Sequence, residues 1–418
     1  MKNDKQKKKI NGIFIVITII AFTFYCFRLV LLHFNQTQYP VTGMYESDLY
    51  AHIEMALSGW GYSIMAVVFR LLSNLPAFGF YFSIAALLCT LEAFTIALTY
   101  VFMRNFLNDA KVAMFLAFVS GFVMPFYLRG VQPYRYIGYQ SGSIWHNSTY
   151  IVMKFFALLC IVLYLAISNA YKEKMKAWEV VTFAVLLAVT TSVKTNFILV
   201  FAPVALVFLI IDFILGVPVK RIIFCALTVI PSMAVILFQR YVLFGDETGN
   251  GIIIDPLYSV YLRAEQPYFT MILSAAFPVF VLLYNLIFVL ADTIKDFKGK
   301  RGKLTHRFFL LSWSMWFVGF LELILLRETG QRELDDNFAW GYDFCLFLVF
   351  VVSIIYFADN IKSLVKRIKE SKGNTGNAPA IVLTSAYAAA AALMLAYHTY
   401  CGIFFFVRLS QGVTFFMQ

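Results

Sequence analysis

Long apolar runs, punctuated by short polar clusters, recur along this chain at close to the length a helix needs to cross a bilayer, roughly twenty residues for about 30 Å of hydrocarbon. The runs cover residues 12–32, 77–103, 111–128, 147–168, 178–193, 196–215, 221–243, 268–291, 308–326, 340–358 and 380–407. This pattern predicts an all-α polytopic membrane protein, residues 1–418 forming a single transmembrane domain of about eleven helices. The opening MKNDKQKKK and the apolar run after it have the outline of a signal peptide. That run is too long for one and no small-residue cleavage site follows, so it is expected to remain as the first span.

Two segments depart from a plain bundle. Residues 33–76 contain apolar stretches too short to span, in YESDLYAHIEMALSGWGYSIMAVVFRLLSNLP, and these suit helices lying in the membrane interface. In TTSVKTNFILVFAP, Lys194, Thr195 and Asn196 interrupt an apolar hairpin and predict a polar corner near the membrane surface.

Composition supports the membrane reading. With 61% of residues hydrophobic and 14% charged, the chain carries more apolar surface than a soluble core of 418 residues could hide. The formal net charge of +11 sits in short clusters between apolar runs, which points to anionic lipid headgroups in the bilayer and away from nucleic acid. Segments 1–11, 104–111, 169–177, 216–221, 292–307 and 359–379 hold 23 of the 34 Lys and Arg. The positive-inside rule therefore predicts a cytoplasmic N-terminus and a C-terminus outside. The six cysteines fall in or beside apolar runs without metal-ligand spacing and read as small core residues.

Candidate chemistry gathers in the segments expected outside. Glu46 and Asp48 follow a turn-like YPVTGMY and precede a helical stretch in which His52 lies one turn beyond Asp48. A helix N-terminus that welcomes acids accounts for the pair. So does a general base with a helper carboxylate, or a pair holding a divalent cation such as Mg or Mn. Arg129, Arg135, Lys194, Arg263, Arg327 and Arg332 are candidate phosphate ligands, against a solvated rim as the plainer account. Lys154 lies about two turns inside the fourth span, and Glu92 and Glu322 are also intramembrane. Such charges are costly unless paired or lining a wet cavity, so a structural ion pair competes with a role in binding. The late outer loop, RETGQRELDDNFAWGYDF, offers Glu328, Asn337 and the aromatic faces of Trp340 and Tyr342 for a sugar; an interfacial aromatic belt is the alternative. WHNSTY joins His146 and Asn147 to a helix start, and Asn147-Ser148-Thr149 also spells a short glycosylation sequon.

With these residues in place the chain resembles a GT-C glycosyltransferase, the polytopic class that takes a sugar from a polyprenyl-phosphate carrier on the outer membrane face. The likeness rests on the spaced acidic pair Glu46 and Asp48 in a long first outer loop, the short interfacial helices after it and the roughly eleven spans. It is strengthened by the WHN triplet, the corner Lys194, Asn196 and Phe197, and the late pattern Glu328, Gly330, Arg332, Asn337, Phe338 and Trp340. The resemblance implies integration in the bacterial cytoplasmic membrane and inverting transfer to a glycan, lipid or protein acceptor on the extracytoplasmic face. By the resemblance one carboxylate of the pair deprotonates the acceptor; Asp48, on the same helical face as His52, is the expected base with Glu46 as helper, and Lys194 and Arg332, backed by Arg327, Lys154 and Arg135, are the cations expected to bind the donor phosphate. His52, His146, Asn147, Glu328, Asn337 and Trp340 would contact substrate. Unlike larger members, the sequence shows no sizeable soluble C-terminal domain. A polysaccharide polymerase or ligase, working through outer Arg and His, and a lipid-sugar flippase or transporter, working through Lys154, Glu92 and Glu322, remain as alternatives.

Overall fold

A chain this apolar must satisfy its backbone internally wherever lipid surrounds it, and helices do so within one segment. The computed structural model describes residues 2–59, 63–107, 109–136, 140–172, 176–244, 251–297, 304–370, 378–414 and 416–418. Of the polar stretches expected in the cytoplasm, the side chains of 1–11, residues 298–303 of KDFKGKRGK and 371–377 of ESKGNTGN lie outside that description.

The helices are α1 (Lys2–Gln36), α2 (Tyr39–Thr42), α3 (Leu49–Leu57), α4 (Ile64–Leu72), α5 (Ala77–Arg104), α6 (Ala110–Ser120), α7 (Ser148–Ala170), α8 (Ala177–Val193) and α9 (Asn196–Ile214). They continue with α10 (Val219–Ala226), α11 (Ile230–Phe244), α12 (Tyr258–Arg263), α13 (Pro267–Ser274), α14 (Ala276–Phe297), α15 (Leu304–Leu325), α16 (Ala339–Glu370) and α17 (Ala378–Leu409). Strands β1 (Ile252–Ile254) and β2 (Leu326–Glu328) form an antiparallel ribbon with Ile253 opposite Arg327. The protein is thus an all-α polytopic membrane protein. Among the described residues nine helical stretches are long and apolar enough to cross a membrane. The two other apolar helices, α6 and α8, have only 11 and 17 residues. Helix α16 forms the centre: 78% of its most apolar stretch is buried, against 50% or less for every other span.

The run at 111–128, expected to be one span, stops being helical at Ser120. Its continuation is irregular yet buried, and non-helical backbone is tolerated at such depth only where protein encloses it. Other elements supply the missing partners. Met124 N–H donates to the His398 carbonyl over 3.2 Å, and His398 Nδ1 lies 2.6 Å from the Met124 carbonyl. Gly402 of α17 lets the Phe122 backbone approach so closely that an added Cβ would lie 1.7 Å from its carbonyl oxygen. The expected span 268–291 is likewise broken at Ala275 into α13 and α14, where His398 Nε2 accepts from Phe277 N–H over 3.3 Å.

Residues 140–147 form a second buried irregular segment, and two of the intramembrane charges, Lys154 and Glu92, lie in or beside its hydrogen-bond network. Lys154 of α7 donates to the Gly142 carbonyl over 2.9 Å, with its ammonium 3.9 Å from the Phe347 ring centroid. Asp343 of α16 accepts the Ser141 N–H over 2.9 Å. Glu92 of α5 takes the Tyr25 hydroxyl at 2.8 Å and faces His33 at 3.5 Å, while Trp145 Nε1–H donates to the Tyr25 hydroxyl.

Segment 33–76, expected to be a small structured module, holds α2, α3 and α4. It gathers with residues 129–136 and 140–147, the α8–α9 corner, the β ribbon, residues 326–338 and residues 410–414 at one end of the bundle. Contacts define this end: Thr414 with Glu46, Lys194 with Thr149, Asn196 with Asn337, and Arg263 with Asp336. The opposite end joins Lys172 to Asp212 and Arg307 to the Ser168 carbonyl.

Candidate functional site

Asp48 occupies the N-cap position of α3 but its side chain makes no capping hydrogen bond. Ser47 takes over: its hydroxyl accepts from Leu49 N–H over 3.1 Å and donates to the His146 carbonyl over 2.6 Å. The same carbonyl accepts Asp48 N–H over 3.0 Å, which pins the start of α3 to the WHN triplet. Asp48 is thereby released from capping, and its Oδ2 accepts Asn147 Nδ2–H over 2.6 Å.

Asn147 is the true cap of α7. Its Oδ1 accepts from Tyr150 N–H over 2.8 Å and from the Thr149 hydroxyl over 2.7 Å, which fixes the amide orientation and aims its NH₂ at Asp48. Thr149 also accepts from Lys194 Nζ over 3.3 Å. A continuous relay, Lys194 to Thr149 to Asn147 to Asp48, thus links a cation on the α8–α9 corner to a carboxylate beside α3. Asn147 is 4% exposed and Ser148 1%, which removes the sequon from the surface.

Lys194 lies just past the last turn of α8, with its ammonium 4.5 Å from the Trp340 ring centroid. Burial lowers its pKa to about 8, although the nearby carboxylates of Asp48, Asp335 and Glu328 favour its charged form; Arg332 adds a further push down. Two residues on, Asn196 donates to the Asn337 carbonyl, and Asn337 Nδ2 donates to Glu328 Oε2 over 2.7 Å. The Lys-x-Asn corner therefore carries the cation on one side and holds the late loop on the other. Burial raises the Glu328 and Asp335 carboxyls above their ordinary range.

The histidines complete the wall. His52 Nδ1 lies 2.7 Å from Ser148 Oγ, and His146 Nε2 lies 3.2 Å from the Tyr136 hydroxyl. Burial pushes His52 down to about 4, with Lys194 the next cause, and burial also lowers His146. The lowering favours the neutral form of both imidazoles, which act as hydrogen-bonding groups. His146 and Tyr150 flank the Trp340 ring at centroid distances of 6.3 and 5.8 Å.

Other expected residues are engaged elsewhere. Arg135 is stacked between the Tyr127 and Phe404 rings, 3.8 and 4.1 Å from their centroids. Arg327 is clasped by Asp255 at 3.0 Å and Glu333 at 2.7 Å over the Tyr258 ring, while Arg263 pairs with Asp336 at 2.6 Å. These contacts brace the β ribbon and late loop. Lys154 serves the Gly142 carbonyl, as described above. Tyr342, offered by the sequence as a stacking face, is fully buried. Glu46 bonds Thr414 of the C-terminal segment, whereas Asp48 bonds Asn147, so the two carboxylates turn to different partners. Among the described residues no group of three or more His, Cys, Asp and Glu is placed to hold a metal ion.

Sequence reasoning missed Thr149, Asp335 and Tyr136. Thr149 and Asp335 lie inside segments already marked by their polar density, WHNSTY and RELDD, but nothing local distinguishes them from their neighbours. Tyr136 has no such signal, because its role comes from packing against His146. Chemically, the arrangement offers a carboxylate with one oxygen oriented by an amide, a cation a short relay away, and an aromatic plane beside both. No family model matches the chain, and neither the curated proteins nor the solved structures provide a match.

Proposed function

We propose that the protein is a membrane glycosyltransferase of the GT-C type. It moves a sugar from a polyprenyl-phosphate carrier to a hydroxyl-bearing acceptor at the end of the bundle that carries Asp48, which we assign to the extracytoplasmic face of a bacterial cytoplasmic membrane. The observation that carries this reading is the Lys194, Thr149, Asn147, Asp48 relay, which brings a carboxylate and a cation from distant parts of the sequence into one site. The excess of Lys and Arg in the segments assigned to the opposite face supports the orientation.

In this mechanism Asp48 accepts the proton of the acceptor hydroxyl while the freed oxygen attacks the anomeric carbon. The bond from that carbon to the carrier phosphate breaks on the opposite side, inverting the centre. Negative charge grows on the departing polyprenyl phosphate, and Lys194 with Arg332 neutralises it. Asn147 holds Asp48 through Oδ2 and leaves Oδ1 for the hydroxyl. Trp340, Glu328 and Asn337 form the sugar side of the site, and neutral His52 and His146 close it.

The test is release of polyprenyl phosphate when purified protein is incubated with a panel of polyprenyl-phosphate sugars and cell-envelope acceptors. Release from at least one donor, lost in Lys194→Ala through a raised donor KM, supports the reading. Binding of donor without release would favour a flippase, and release that survives removal of Asp48 would favour the Arg and His chemistry of a polymerase or ligase.

A further inference from the structure

A cavity of about 830 Å³ lies at the other end of the bundle, among the C-terminal half of α7, the start of α8, the second half of α9, α10 and the first turns of α15. Sites that take small ligands span roughly 300–1,000 Å³. Its position separates it from the Asp48 site, which uses the opposite ends of α7, α8 and α15. The lining is mostly apolar, and Leu206 and Val207, 55% and 52% exposed, form part of the wall. The cavity therefore communicates with the lipid-facing surface of α9.

One edge is polar and basic. Lys172 and Arg307 line it against a single lining carboxylate, Asp212, among the described residues. That carboxylate is already held by Lys172 and by the Tyr171 hydroxyl. Arg221 reaches the same corner and donates to the Lys172 carbonyl, and Arg307 donates to the Ser168 carbonyl over 3.1 Å. Three cations thus surround one satisfied carboxylate beside an apolar chamber open to lipid. Apolar volume and a cationic rim together match an amphiphile with a negative headgroup and hydrocarbon chains, and match neither a free anion nor a neutral lipid.

We propose that this cavity is a binding site for an anionic phospholipid, with hydrocarbon chain between α9 and α15 and phosphate against Lys172, Arg221 and Arg307. The site is independent of the sugar-transfer reading, since it shares no side chain with the Asp48 cluster.

The experiment is a thermal-unfolding titration of the delipidated, detergent-solubilised protein with phosphatidylglycerol, phosphatidylcholine or inorganic phosphate, with native mass spectrometry of the same samples. Phosphatidylglycerol raises the melting temperature and adds a retained lipid mass; phosphatidylcholine and inorganic phosphate do neither. Ala205→Phe, which fills the chamber from α9, abolishes the phosphatidylglycerol shift. Arg307→Gln weakens the apparent affinity by about tenfold or more, the loss of one charge-assisted hydrogen bond. An equal response to phosphatidylcholine, a full response to inorganic phosphate alone, or an unchanged response in Ala205→Phe overturns the proposal. If Ala205→Phe fails to fold, the lipid comparison on the parent protein and Arg307→Gln still decide it.

Discussion

Asp48 sits at a helix N-terminus and caps nothing, which separates two accounts of one acidic pair. Had its carboxylate capped α3, the dipole would explain its presence; Ser47 caps instead and Asp48 turns to Asn147. Asn147 should therefore carry two separable roles. Asn147→Ala loses the α7 cap, at a cost of about 1 kcal/mol, together with the amide that orients Asp48. Asn147→Ser keeps a capping oxygen for the start of α7 but loses the amide donor to Asp48. Thermal unfolding should find the second variant close to parental stability, while transfer assays should find both impaired; full transfer in Asn147→Ser would remove the orienting role. Lys194 supplies a pH signature. With its pKa lowered to about 8, it loses charge as pH rises through that value, so donor KM should climb above pH about 8. Lys194→Arg, charged at all accessible pH, should flatten that limb even if its overall rate falls. The stability sign is opposite. Between pH about 8 and the ordinary lysine value the unfolded chain binds more protons, so this residue's contribution to stability rises with pH.

At the scale of elements, the sequence was most legible where hydrophobic periodicity was uninterrupted. The long helices α1, α5, α9, α15, α16 and α17 lie where the apolar runs predict them. It misled at 111–128 and 268–291, because apolar content alone does not say whether a backbone is helical. Those breaks depend on His398 and Gly402, residues of α17 more than a hundred positions away, and no local pattern announces such a partner. The consequence is testable. Gly402→Ala places a methyl against the Phe122 carbonyl where backbone, not a flexible side chain, occupies the space. We expect a destabilisation of about 3 kcal/mol or more, seen as loss of folded protein in detergent size-exclusion profiles. A normally stable Gly402→Ala would mean that α17 does not pack on this segment. The cations expected to bind phosphate also divide at this scale. Arg135, Arg327 and Lys154 brace loops and irregular backbone, and only contacts across elements distinguish them from Lys194.

Across the whole molecule, polar segments widely separated in sequence converge at one end of the bundle. The first loop, the WHN triplet, the Lys-x-Asn corner and the late loop meet there through the relay and through Asn196 and Asn337. That convergence was expected from the resemblance, but its wiring through Thr149 and the separation of Glu46 from Asp48 were not legible, since both depend on side-chain direction. The central claim is that Asp48 is the base of sugar transfer while Glu46 is not. The most direct measurement compares initial rates of polyprenyl-phosphate release for the parent, Asp48→Asn and Glu46→Gln, each purified and shown to be folded. The account predicts a fall of roughly 10²- to 10⁴-fold in Asp48→Asn, the range for loss of a general base, with Glu46→Gln near the parent; a parental rate in Asp48→Asn would contradict it.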